Sequence, residues 1–256
     1  MRSLLLLTAL TLLGCTRDAP ADAPADGAVV AAALEAWSQR LGAVRDYAVE
    51  GEVVDVASGQ RMGFRYAMQQ PTYSAGELLD PSGARARSFI FDGKVLATID
   101  EASKLATRQD LTNNEEQMLF TLHEIFSQFV CEGWRPPLIK PQGTTGTREG
   151  SRLVLSIPIV DETLASQRLT LKDDGTFVKK EVLTKSGQVV SSTTVQEDVV
   201  DAATRLVFPK RWSHTEGAST QEVTLTKIAV NQGVDAARFS TALPPGFSLR
   251  AAEGQP

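Results

Sequence analysis

The sequence predicts an α+β domain, a strongly curved antiparallel sheet with an N-terminal helix and a mid-chain helix plugging its concave face. Three observations carry this. Segments of period two follow one another with turn residues between them. One helical segment precedes them and a second interrupts them. The second is apolar enough that it must bury its stripe on the uncovered face of the sheet.

The first helix is expected over Val29–Val44, where Val30, Ala33, Leu34, Trp37, Leu41 and Val44 recur at spacings of three and four. The period then switches to two. In Arg61–Met68 one face holds Met62, Phe64, Tyr66 and Met68, and the other holds Arg61, Gly63, Arg65 and Ala67. This is the alternation of a half-buried strand. Ser58-Gly59 before it makes a hairpin with Tyr47–Val56. Pro71, Pro81-Ser82-Gly83 and Asp92-Gly93 then separate strands at Tyr73–Leu79, Arg85–Phe91, Lys94–Asp100 and Lys104–Arg108. Asp-Gly between two alternating segments is a strong hairpin signal.

Thr112–Val130 breaks the pattern. Thr112 with Glu115 three residues on forms a capping box. Met118, Leu119, Leu122, Ile125, Phe126 and Phe129 follow on one helical face, and Gly133 and Pro136-Pro137 close the unit. Strands return at Leu153–Ile159, Gln167–Leu171, Thr176–Leu183, Val189–Glu197, Leu206–Glu216 and Gln221–Val230. The end, Leu243-Pro244-Pro245-Gly246-Phe247, is too proline-rich for a regular element.

The start of the chain is a processing signal. Met1-Arg2-Ser3 supplies a basic end, Leu4–Leu13 an apolar run, and Gly14-Cys15 a small residue before cysteine. This arrangement resembles a bacterial lipobox, which implies cleavage before Cys15 and acylation of its sulfur. Ten residues are too few to span a bilayer as a helix. The expected organisation is a signal peptide at 1–14, a lipidated cysteine and solvated tether at 15–27 with its Ala-Pro-Ala-Asp repeats, and one domain at 28–256. Thr16 after the cysteine is not the Asp that retains many Gram-negative lipoproteins in the inner membrane. The destination implied is the outer membrane, facing the periplasm. A formal charge of −5 argues against nucleic acid and against electrostatic docking to anionic lipid.

No catalytic constellation or cofactor fingerprint is present. His123-Glu124 opens like a zinc-protease helix, but position 127 is Ser, so the second ligand is missing and no metal is expected. Cys131 reads as a reactive thiol or, in the more ordinary case, as a small buried hydrophobe.

The element order carries a resemblance. A helix leads into Tyr47-Ala48-Val49-Glu50-Gly51, then Arg61–Met68 and Pro71. Asp80-Pro81-Ser82-Gly83 and Phe89-Ile90-Phe91-Asp92-Gly93-Lys94 follow, then Ile99-Asp100, Lys104 and the late Leu243–Phe247. Together these resemble the LolA/LolB-type lipoprotein carriers, whose fold is shared with mycobacterial lipid-binding lipoproteins and periplasmic stress regulators. The resemblance implies an incomplete antiparallel barrel over an apolar cavity that binds a lipid or acylated ligand without catalysis. The cavity residues expected are Met62, Phe64, Tyr66, Met68, Phe89 and Phe91 from strands, with Leu119, Leu122, Phe126 and Phe129 from the helix. Trp134–Ile139 is the nearest candidate for the exposed apolar loop of the outer-membrane acceptor, and reads equally as a packed connector. The alternative function is a protein-interaction or stress-regulatory module with a filled core, its protein partner unspecified.

Overall fold

A computed structural model describes residues 23–25, 27–70, 72–112, 131, 143–159 and 163–250. The first half holds β1 (Ala23–Pro24), α1 (Gly27–Gly42), β2 (Asp46–Asp55), β3 (Arg61–Gln69), β4 (Tyr73–Leu79), β5 (Arg85–Asp92), β6 (Val95–Asp100) and β7 (Leu105–Asp110). The second holds β8 (Thr145–Glu149), β9 (Arg152–Pro158), β10 (Leu164–Lys172), β11 (Phe177–Thr184), β12 (Val189–Val200), β13 (Val207–Glu216), β14 (Ser219–Val230), a 3₁₀ turn (Ala236–Phe239) and β15 (Ser248–Arg250).

These strands form one sheet in the order β1-β8-β9-β10-β11-β12-β13-β14-β2-β3-β4-β5-β6-β7-β15. Two meanders are therefore fused where β14 pairs antiparallel with β2, from Gln221 opposite Asp55 to Val230 opposite Tyr47. Among the described residues the sheet is not closed, and β1 and β15 are its two edges.

The sheet curls around α1. A Cβ at Gly146 of β8 would fall 2.5 Å from the Val30 side chain, which seats the start of the helix on that strand. At the other end the Asn231 amide, just after β14, donates to the Ala43 carbonyl at 2.8 Å. From β8 to β14 is six inter-strand steps, about 29 Å in a flat sheet. The helix between those contacts is only about 20 Å long, so the strands must wrap it. Alanine-rich sequence makes this segment helical. Val30, Trp37 and Val44 are buried, with Ala33 and Leu34 packed beside them. In its last turn Arg40 donates to Thr176 Oγ1 and to the Asp174 carbonyl, fixing the helix to the β10–β11 turn.

The chain end then crosses the outer face of β3–β7. Asp235 caps the 3₁₀ turn by accepting from the Ala237 amide. Phe239 is buried against Tyr73, ring centroids 5.6 Å apart. Thr241 donates to Asp92 Oδ2 at 2.8 Å, while Oδ1 of the same carboxylate accepts the Lys94 and Val95 amides of the β5–β6 turn. Lys104 lies over the Phe247 ring, and β15 closes the segment by pairing parallel to β7.

Two points of the sequence reading need correcting. Ala23–Pro24, inside the stretch read as tether, pair with Arg148 and Thr147 of β8, and α1 begins at Gly27. β8 itself was not anticipated, since Thr145–Glu149 has no apolar alternation. Leu243–Phe247 forms no helix or strand, as its prolines imply, although the 3₁₀ turn precedes it and β15 follows it. The expected helix Thr112–Val130 lies, after Thr112, outside the described residues, and so does its role as a plug.

Candidate functional site

Cross-strand register puts the strand residues of the expected site on one face. Phe64 lies opposite Gly51 and Leu78, Tyr66 opposite Val49 and Gly76, and Met68 opposite Tyr47 and Ser74. Phe89 and Phe91 continue the rows opposite Gly76 and Ser74, and Met62 sits opposite Val53. Phe64, Tyr66 and Phe91 are buried in the cluster that also holds Trp37 of α1 and Val44 just after it. Met62, Met68, Leu78 and Phe89 are only half-buried. Arg61 and Arg65 point to the other face, where Arg65 pairs with Glu50 and Glu77.

Gly51 is what allows Phe64 to lie flat on β2. A Cβ there would stand 2.7 Å from Phe64 Cζ and 2.7 Å from the Thr224 carbonyl oxygen. The Tyr66 hydroxyl and the Ser74 hydroxyl are 3.3 Å apart. Cys131 is buried in the same cluster. Tyr47 is buried beside it, and burial above all pushes its phenol above the ordinary range. Cys15, Leu119, Leu122, Phe126, Phe129 and Trp134–Ile139 lie outside the described residues.

The second half contributes apolar surface that the sequence reading did not assign to a site. Leu155 and Ile157 of β9, Leu169 and Leu171 of β10, Phe208 and Trp212 of β13 are all buried in the cluster. Their signal was present: Leu153, Leu155 and Ile157 alternate as cleanly as the residues of β3. The same face also carries a polar row. Lys180, Thr193, His214 and Gln221 oppose one another across β11–β14, and Thr193 Oγ1 is 2.9 Å from His214 Nδ1. The next row is Val195, Trp212, Val223 and Val53. Arg87 and Asp100, paired at 3.0 Å, make a second polar margin beyond Phe89. The inner face is thus apolar at its centre with polar groups at its borders, the pattern an amphiphile matches.

The shifted carboxylates are all lowered, and several sit in tight turns. Asp55, Asp80, Asp100, Asp110 and Asp201 accept bonds from Ser58, Ser82, Ser103, Thr112 and Thr204 a few residues on. A carboxylate held charged this way is a turn acceptor, whereas a general acid needs its pKa raised. Among the described residues no group of three or more His, Cys, Asp or Glu could hold a metal ion.

No family model matches the chain, and no curated protein matches it in sequence. Solved structures do match. A domain described as an outer membrane lipoprotein-sorting protein from Vibrio parahaemolyticus is 12% identical, covers 80% of this chain and 95% of its own, and has a TM-score of 0.54. A DUF1329 family protein from Desulfovibrio piger is 10% identical over 84% of this chain and 99% of its own, at 0.57. A LolA superfamily protein from Nitrosomonas europaea is 10% identical over 81% and 97%, at 0.53. At such identities the likeness concerns architecture and leaves function to the site. The chain shares the LolA-type fold of these structures.

Proposed function

We propose that this chain is a bacterial envelope lipoprotein, anchored in the outer membrane through Cys15 and facing the periplasm, that binds a lipid or acylated ligand on its inner face. The observation that carries the reading is the incomplete burial of Met62, Met68, Leu78 and Phe89 around the sealed Phe64, Tyr66 and Phe91. Half-buried methionine and aromatic groups beside a dry centre suit a flexible apolar chain, because thioethers adapt their shape and aromatics supply area. Each methylene taken from water is worth about 0.8 kcal/mol. About ten would supply roughly 8 kcal/mol before ordering costs, enough without covalent chemistry. The likeness in fold to a lipoprotein-sorting domain supports the same reading.

The competing reading is a protein-interaction module with a filled interior. The continuous buried cluster from Leu155 to Phe91 favours it. Native mass spectrometry of the purified protein separates the two. Lipid bound at one copy per chain is expected, and a protein that keeps its apo mass when offered lipid would support the module instead.

A further inference from the structure

We propose a second site, on the outer face, that binds a small zwitterion of the amino-acid class, a free amino acid or dipeptide. Between the C-terminal segment and strands β3–β6 runs a groove of about 530 Å³, within the range of small-molecule sites. Its sheet wall carries Arg65, Glu77 and Arg85, its strap wall Asp235 and Arg238, and its floor Ile90 and Ile99.

The charges are organised. Lys227–Glu50–Arg65–Glu77–Arg85–Glu101–Lys104 form an alternating ribbon of ion pairs across the outer face, with a cation at each end. In the groove Glu77 stands between two guanidiniums, at 3.5 Å from Arg65 and 3.6 Å from Arg85. These are loose contacts, longer than a tight charge-assisted bond. Arg238 enters no ion pair among the described residues. A lining that offers both guanidinium and carboxylate favours a ligand carrying both an ammonium and a carboxylate over a simple anion.

The second observation is Ser88. Register places it beside Glu77 and Ile99, on the groove floor. It is 1% exposed, and its hydroxyl has no hydrogen-bond partner among the described residues. Buried hydroxyls are almost always satisfied, so an unpartnered one lining a polar groove points to a ligand atom. A main-chain carbonyl or carboxylate would accept its proton. Ile90 and Ile99 would hold a small apolar side chain.

The test is isothermal titration of the mature protein with the dipeptide Ala-Leu and with its N-acetylated, C-amidated form. Saturable one-to-one binding of Ala-Leu is expected, at least tenfold weaker for the capped form and for Arg238→Gln. Ser88→Ala should weaken binding several-fold while leaving the melting temperature unchanged or higher, since it removes a hydroxyl without a partner. Absence of saturable binding, equal affinity for the capped form, or unaltered affinity in both variants would overturn the proposal.

Discussion

Tyr47 stacks on Phe208, with ring centroids 5.5 Å apart and planes 13° from parallel. The two rings come from opposite halves of the chain, on strands β2 and β13 that both flank β14. Their contact lies where the two meanders become one sheet, and Phe208 is fully buried there.

Phe208→Ala should therefore cost about 3–5 kcal/mol, the usual range for deleting a buried Phe. Because Trp37 of the helix and Trp212 of β13 share that cluster, urea unfolding should stay a single transition by both circular dichroism and tryptophan fluorescence. Two separated transitions would mean the halves fold independently.

Asn231 fastens the same seam from the end of β14. Its carbonyl accepts the Arg45 and Asp46 amides and its amide donates to Ala43, all from a backbone with φ of 54°. Asn tolerates that region better than most residues do. Asn231→Gly should lose about 1–3 kcal/mol through the side-chain bonds. Asn231→Ala should lose about 1 kcal/mol more, because alanine also strains at positive φ. Chemical denaturation of the pair checks the order.

Gly51→Ala should destabilise the protein by about 1–3 kcal/mol, as overpacking does. The new methyl group meets not only the Phe64 ring but the Thr224 carbonyl, which belongs to the backbone and cannot rotate away. A thermal melt at parental stability would show that β2 and β3 do not keep this register.

Asp100 is held at a pKa of about 2 by the Ser103 amide, then the Ser103 hydroxyl, then Arg87. Its folded value lies below the unfolded value of about 3.9. The stabilisation is complete above that value and lost as pH falls through about 2. Ser103→Ala should raise the Asp100 pKa in a carboxyl carbon NMR titration and shift acid unfolding to higher pH. An unchanged titration would contradict the turn geometry.

Much of the sheet was legible because its strands carry strong local signals. Asp92-Gly93 and Ser58-Gly59 mark hairpins, and β3 alternates from Arg61 to Tyr66. The fusion of β14 to β2 was not legible, since pairing between segments far apart in sequence leaves no local pattern. Nor was the strap, yet its trace was there. In β6, Leu96 faces inward while Ala97 and Ile99 face outward, and all three are buried. A run apolar on both faces needs cover on both. Of the expected site, the strand residues meet on one face because alternation fixes direction. The polar row Lys180–Thr193–His214 was missed because it exists only across strands.

The most direct test of the central claim uses the methionines, of which the chain has only four. With carbon-13 methyl labelling, stearate bearing a nitroxide near its methyl end should bind saturably and broaden the Met62 and Met68 methyl signals. Unlabelled stearate should reverse the broadening. If both signals stay sharp at saturating ligand, or no saturation is reached, the inner face does not hold an acyl chain.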